Sequence, residues 1–312
     1  MLDLLKCINW KADEMKKISI LLVVLAGSLW GFMGLFVRKL NEYGLASMDI
    51  VALRAIITLI LMVIFLTIYN RKLFKVKLKD VWCFLGTGIL SILFFNFCYF
   101  KAITLTTLPV AAVLLYTAPA IVTVLSAILF KEKITKLKVG ALALTFVGCV
   151  LTLGFTGSSI DIKLVGILFG LGAGFGYALY SIFSRYAIIR GYHSFTISLY
   201  TFLIASIATI PFANMNRIKD FAFDSSGNVL FIIVFGMVST VLPYIFYNFG
   251  LKGLDNSKAS IIASIEPVVA SVVGVFIYDE KLVLSQIIGI SLVLVSIIMC
   301  NINIRKMVEK GA

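Results

Sequence analysis

Residues 261–281 of this 312-residue chain read IIASIEPVVASVVGVFIYDEK, an apolar run long enough to cross a lipid bilayer. Glu266 and Pro267 lie near its middle, and an acidic turn that ends in Lys281 closes it. An ionised carboxyl group at the centre of a spanning helix costs roughly 2.5 to 3.5 kcal/mol on insertion scales. Because such residues are usually kept for function, this segment predicts both a membrane fold and the position of a site.

A second copy of the pattern lies at residues 113–133, which read VLLYTAPAIVTVLSAILFKEK. Pro119 stands 148 residues before Pro267 (267 minus 119), and Glu132 stands 148 residues before Glu280. The same offset relates further pairs: Gly88 and Gly236, Ser91 and Ser239, Tyr99 and Tyr247, Ala111 and Ala259. These matches indicate an internal duplication.

The composition is that of a membrane protein, since 61% of the residues are hydrophobic and 14% are charged. Soluble domains average about 45–50% and about 25% on similar counts. Apolar segments that can each cross a core of about 30 Å lie at 18–43, 48–69, 81–100, 107–130, 137–155, 164–184, 194–213, 229–250, 257–278 and 282–303. We therefore predict an all-α polytopic membrane protein with ten transmembrane helices.

Ten helices divide into two repeats of five, at 18–155 and 164–303. An N-terminal segment at 1–17 precedes them, and a short tail at 304–312 follows. The N-terminal segment has features of a secretory signal, but its apolar run continues to Val37 and further spans follow. We therefore expect a retained first helix, with Met15 as an alternative start of the chain.

Positive charge predicts which side each connecting segment faces. With the N-terminus inside, the inner segments hold twenty Lys and Arg residues and the outer segments hold seven. Short cytoplasmic loops are enriched in Lys and Arg, so we predict that both termini are cytoplasmic, in an inner membrane. These loops account for the net charge of +13, and the chain has no soluble basic module for nucleic acid.

An odd number of helices in each repeat predicts that the two copies have opposite orientations in the membrane. Inverted repeats related by a pseudo-two-fold axis are typical of secondary transporters, whose site lies near the midplane where the halves meet. Scramblases and some channels share this symmetry. Transport is therefore our prediction, with a channel or lipid scramblase as the alternative.

The sequence does not favour an enzyme. Its five cysteines are scattered singly, and His193 is the single histidine, so neither a metal site nor a nucleophile with a base is predicted. We accordingly expect no cofactor. The expected partners are a small-molecule substrate, membrane lipids and protons as a coupling ion.

Two charged residues lie inside predicted spans. Glu266 can titrate with protons or bind a substrate amine, or it can serve as a carboxyl group bonded at a helix bend. Its counterpart in the first repeat is Ala118, so the residue is not duplicated. Arg54 can bind an anionic substrate, pair with a carboxylate, or extend towards the membrane surface.

Pro119 and Pro267 each remove the backbone hydrogen bond to the carbonyl group four residues earlier, those of Leu115 and Ala263. Carbonyl groups freed in this way can bind solutes where they face a cavity, or allow the helix to bend. Their matched positions predict two hinges or gates.

Polar and aromatic residues recur at helical spacing in the middle of several spans. Spacings of three and four residues place such side chains on one side of a helix, where they can line a cavity. Interfacial anchoring is the alternative for membrane Tyr and Trp. The predicted substrate-binding residues are Trp30, Asn96, Tyr99, Tyr116, Tyr177, Tyr180, Tyr244, Tyr247, Asn248 and Glu266.

The acidic residues Glu132 and Glu280 end the two proline-containing spans. A helix N-terminus favours negative charge, so we expect each to cap the helix that follows it in the chain.

The sequence contains two copies of a proline-centred helix that ends in a Glu-Lys turn, within ten predicted spans. This pattern resembles the EamA-type branch of the drug/metabolite transporter superfamily. Trp30-Gly31, Arg54 and Glu266-Pro267-Val268 also fit that pattern. The resemblance implies a secondary carrier, often an exporter of amino acids or other small metabolites, with a central cavity between its helices. We therefore predict export of a small amino-acid-like metabolite by alternating access.

Overall fold

The computed structural model describes residues 2–153 and 163–301, so the predicted tail at 304–312 lies outside the described residues. Within these ranges all regular structure is helical. Nine helices there have the length and hydropathy to cross a membrane, at the positions of nine predicted spans. The remaining predicted span forms a shorter helix of 17 residues.

The helix bounds are α1 Glu14–Glu42, α2 Ser47–Tyr69, α3 Leu78–Leu105, α4 Leu108–Phe130, α5 Lys136–Thr152, α6 Leu164–Ile189, α7 Ser194–Phe212, α8 Ser226–Gly253, α9 Asn256–Tyr278 and α10 Leu284–Asn301. A polar helix, Met215–Asp224, connects α7 to α8. It falls in a segment where the sequence predicts only a loop.

The backbone departs from regular helix at matching places in the two halves. Helix α4 is interrupted at Tyr116 and Thr117, and α9 at Ser264 and Ile265, in each case just before the proline. Both interruptions are offset by 148 residues, as the prolines are. Since proline has no amide hydrogen to donate, it breaks the helical hydrogen bonding at both sites.

Two π-helical segments also lie at matching positions in the two halves. The π-helical segments Gly86–Leu93 in α3 and Met237–Val241 in α8 overlap when the second is shifted back by 148 residues. Lys131 and Asp279, again 148 residues apart, both adopt left-handed backbone, with φ of 56° and 54°. The duplication is therefore visible in the irregular backbone as well as in the sequence.

The helices of one half pack mainly on helices of the other half. Helix α1 lies along α8, and α6 lies along α3. In both cases the first helix of one half packs on the third helix of the other half. Helix α2 packs on α7, and α5 packs on α10, so each of these helices packs on the equivalent helix of the other half. The two halves therefore form one interlocked bundle.

Glycines allow the first helix of each half to cross the broken helix of the other. A Cβ atom placed on Gly27 of α1 would lie 2.7 Å from the carbonyl oxygen of Ala263 in α9. One placed on Gly174 of α6 would lie 2.9 Å from the carbonyl oxygen of Leu114 in α4. Both crossings occur where proline interrupts the helix, so they place the two breaks at the centre of the bundle.

Replacing Gly27 by Ala is expected to destabilise the protein by about 1–3 kcal/mol, because the new methyl group would overlap the backbone of Ala263 and force it to shift. Gly34→Ala is the matched control on the same helix, since a Cβ atom there has nothing within 4 Å. Thermal unfolding in detergent measures both. Equal unfolding temperatures for the two variants would contradict the close crossing.

Candidate functional site

Aromatic rings from α1, α6 and α8 meet at the centre of the bundle. The ring centroid of Trp30 lies 6.4 Å from that of Tyr177, 5.3 Å from that of Tyr244 and 5.5 Å from that of Tyr247. Tyr180 packs edge-on against Tyr244 at 4.9 Å. Five predicted site residues, distant in sequence, therefore form one cluster.

This cluster lines a cavity together with Ser91, Ile92, Phe95 and Ser181. A second cavity lies between the two broken helices, against Tyr116 and Pro119 of α4 and Ser264 of α9. Tyr177 forms part of both walls. Each cavity has room for about one water molecule, so a metabolite fits only when helices separate.

The amide side chains predicted to face substrate are bonded within the protein. Asn96 donates to the carbonyl oxygen of Ile92 at 2.7 Å. The fully buried Asn248 donates to the hydroxyl of Tyr180 at 2.7 Å and lies 3.3 Å from the hydroxyl of Ser198. The Asn248 bond holds Tyr180 of the aromatic cluster, whereas the Asn96 bond stays within its own helix. Substrate contact by either amide remains a prediction.

Tyr99 lies beside the cluster rather than within it. Its ring is tilted against Phe95, at a centroid distance of 5.8 Å, and Phe95 in turn packs on Tyr177 at 5.6 Å. Tyr99 and Tyr177 pack against the same small core around Cys98 and Leu115. The ring therefore belongs to the outer layer of the site.

Glu266 is the first residue of the second half of α9, directly after the break. Its carboxyl group interacts with the hydroxyl of Tyr177 and, electrostatically, with the guanidinium of Arg54. The residue is half-buried although it lies in the middle of a span. A carboxyl group in this position is favoured by the helix N-terminus. Glu266 lines neither cavity, so substrate contact by this residue remains a prediction.

Arg54 is directed into the protein rather than towards the membrane surface. The residue is 3% exposed, and its Nη1 contacts the sulfur of Met33 at 3.1 Å. Its Nη2 atom has no hydrogen-bond partner. Of the three alternatives for Arg54, extension towards the membrane surface is therefore wrong, because the side chain is buried in the core of the bundle.

One end of the bundle carries a network of charged side chains, of which Glu132 and Lys138 are buried. The carboxylate of Glu132 accepts hydrogen bonds from the backbone of Asn256 at 2.8 Å and from the hydroxyl of Ser257 at 2.6 Å. Lys138 lies 3.7 Å from Glu132 and 3.1 Å from Asp255. This network, here called the Glu132 latch, joins α4 and α5 to the start of α9.

Glu132 caps a helix N-terminus, as predicted, but the capped helix is not the one that was predicted. The helix that follows it, α5, is capped by Thr135, whose hydroxyl accepts from the amide of Lys138 at 3.3 Å. Glu132 instead caps α9, which lies in the other half of the chain. Only the folded structure brings that helix N-terminus within reach.

The opposite end carries the counterpart residues without a closed network. Glu280 lies 3.9 Å from Arg38, and these side chains are 57% and 52% exposed. Arg38 also lies over the ring of Tyr278 at 4.0 Å. The two ends of the bundle therefore differ, although their sequences derive from the same repeat.

The fold and the site define a multi-pass helical membrane protein with two related halves around a small central cavity. The model of the EamA-like transporter family matches residues 17–154 and 164–302. The chain belongs to this family, and is a membrane transporter of the drug/metabolite transporter superfamily.

Relatives of the chain carry transporter names. An "uncharacterized transporter" of Archaeoglobus fulgidus is 33% identical over 67% of this chain and 74% of its own. The "uncharacterized transporter YxxF" of Bacillus subtilis is 26% identical over 90% of this chain and 89% of its own. A solved crystal structure shares the fold at 16% identity, with a TM-score of 0.74 over 91% of this chain and 96% of that one.

Glu132→Ala is expected to lower the free energy of unfolding by about 3 kcal/mol or more, because it removes one partner of a buried charged group and leaves backbone donors unsatisfied. Glu280→Ala is the matched control and should cost less than about 1 kcal/mol, since its ion pair is exposed. Thermal unfolding in detergent compares them. A larger loss for Glu280→Ala would refute the assignment of the buried latch.

Proposed function

We propose that the protein is a secondary carrier that moves a small metabolite across the cytoplasmic membrane by alternating access. The observation that carries the proposal is the pair of matched helix breaks that face each other across a small cavity, to which Tyr177 of the aromatic cluster also contributes. Discontinuous helices that meet at the bundle centre are a recurring way for transporters to form a substrate site. In this proposal the hinges are Pro119 and Pro267.

The carrier has ten spans in this proposal, with α5 as a full span despite its length. Its 17 residues extend about 26 Å, close to the hydrocarbon thickness of about 30 Å. Five spans in each half place the halves in opposite orientations, with both termini in the cytoplasm. The distribution of Lys and Arg supports this orientation.

The difference between the two ends supports alternating access. The Glu132 latch closes one end, while the counterpart pair at the other end is exposed and loosely held. Opening the latch and forming a closed contact around Glu280 would present the central site to the other side. The breaks in α4 and α9 and the π-helical turns are where the helices can bend.

The central site favours a small amphipathic substrate. Rings of Trp30 and the surrounding tyrosines offer an apolar surface, and Glu266 offers a charge. We propose an amino-acid-like substrate, exported from the cell, with protons as the coupling ion at Glu266. A half-buried carboxyl group in the middle of a membrane span supports that coupling.

Orientation is tested by single cysteines placed at Lys133 and Lys281 in a cysteine-free background. Both positions are exposed, and each follows the acidic residue of its turn. The inverted arrangement predicts that a membrane-impermeant maleimide labels position 281 in intact cells and position 133 only after lysis. Labelling of both positions from the same side would remove the basis of the carrier proposal.

Transport is tested with purified protein in proteoliposomes loaded with amino acids. A carrier should show saturable uptake of labelled amino acid that unlabelled amino acid on the opposite side accelerates. Proton coupling predicts that an imposed pH gradient drives accumulation, and that Glu266→Gln abolishes this effect. Passive conductance or lipid movement without counterflow would favour the channel or scramblase alternative instead.

A further inference from the structure

The connection between α2 and α3 presents a row of exposed cations. Residues 71–79 read RKLFKVKLK and are here called the basic segment. All five of its cationic side chains are exposed: Arg71, Lys72, Lys75, Lys77 and Lys79. In the described part of the chain, five ion pairs lie within 4.0 Å, and none includes a residue of this segment. These charges can therefore meet a partner outside the protein.

The backbone of the basic segment is fixed to the second half of the chain. It accepts hydrogen bonds from two hydroxyls of α7, those of Thr196 at 2.8 Å and Tyr200 at 2.6 Å. A third hydroxyl, that of Tyr192, accepts from the amide of Lys77 at 3.1 Å. The apolar side chains of the segment pack against the protein core: Leu73, Phe74 and Val76. The five charged side chains take no part in these contacts, so the fold holds them in place without using them.

The acidic residue at the end of this connection does not neutralise the basic segment. Asp80 is 6% exposed, and its carboxylate accepts from the hydroxyl of Tyr192 at 2.7 Å. It also lies 3.0 Å from Nε of Arg190. Because Asp80 is directed inward and already paired, the ionisable groups that this connection exposes are all positive.

The side chains around the basic segment are those expected at the depth of lipid headgroups. Tyr69 precedes the segment and Trp82 follows it, and they are 61% and 38% exposed. Tyr and Trp are enriched where spanning helices meet the headgroups. Leu78 lies between two of the lysines and is 91% exposed, a position that favours contact with lipid over water.

The equivalent segment of the other half lacks this charge. Shifting 71–79 by 148 residues gives 219–227, which reads KDFAFDSSG and holds one lysine and two aspartates. The neighbouring Arg217 is paired with the buried Asp49 at 2.8 Å. The repeat therefore folds without a basic connection at this place, and the five cations of the first half call for another explanation.

We propose that the basic segment is a docking surface for the headgroups of anionic phospholipids in the cytoplasmic leaflet. Clusters of four to eight Lys and Arg residues directly beside a spanning helix attract anionic lipid, with roughly a factor of five in affinity for each cation. The choice of leaflet follows from the proposed orientation. The headgroup chemistry does not depend on that orientation or on the proposed transport.

The test is native mass spectrometry of the purified full-length protein, equilibrated with equal amounts of phosphatidylglycerol and phosphatidylcholine that have the same acyl chains. The protein should retain phosphatidylglycerol in preference. The triple variant Lys72→Gln, Lys75→Gln and Lys79→Gln should reduce the bound ratio of the two lipids at least about fivefold. Replacing the same three lysines by Arg keeps the charge and should keep the preference.

The matched control removes three exposed cations from another connection, by Lys131→Gln, Lys133→Gln and Lys136→Gln. These lysines adjoin Glu132 in the turn between α4 and α5, and their loss should leave the ratio within about twofold of the unmodified protein. An equal loss in the control would show a general attraction of the basic side for anionic lipid, and would overturn the assignment to residues 71–79. An unchanged ratio in the first triple variant would overturn it as well.

A thermal-shift comparison separates a lipid surface from a site for soluble anions. Phosphatidylglycerol added to the detergent should raise the unfolding temperature of the protein, because a ligand that binds the folded form stabilises it. Glycerol 3-phosphate and inorganic phosphate at the same concentration should not. An equal rise with either soluble anion would contradict docking of a membrane lipid.

Discussion

A backbone polar group in the hydrocarbon region of a membrane needs a partner, and this constraint decides how the two halves fit together. Pro119 and Pro267 each free a carbonyl group in mid-span, so their helices cannot face lipid at those points. Gly27 and Gly174 let the first helix of each half cover the break in the other half. The interlocked bundle, and with it the central position of the site, follows from this reciprocal coverage.

Reciprocal coverage also explains why the site combines residues from both halves. Trp30 comes from α1 and Tyr177 from α6, the two helices that cross the breaks, while Tyr244 comes from the π-helical helix α8 that lies along α1. The π-helical turn of α3 lines the cavity of this cluster, and the proline breaks line the neighbouring cavity, which shares Tyr177. Irregular backbone is thus concentrated where packing from the opposite half can satisfy it.

The same repeat produces two different ends because a few substitutions change what the acidic turn can bind. Glu132 meets the amides of Asn256 and Ser257 and the hydroxyl of Ser257. The corresponding positions at the other end are Leu108 and Pro109, which offer no side-chain donor and one backbone amide fewer. Glu280 therefore remains exposed beside Arg38. A small difference in donors therefore gives one end a buried network and leaves the other with an exposed ion pair.

The sequence by itself determined the class of fold, the positions of the apolar helices, the duplication and the places where the prolines interrupt α4 and α9. These features depend on local composition and on offsets along the chain, which can be counted. Only the tertiary structure decided that Glu132 caps α9 rather than α5, that Asn248 bonds to Tyr180, and that Arg54 lies inward against Met33. Such choices depend on which helix N-terminus, hydroxyl or charge lies across the interface, and residues distant in sequence supply those partners.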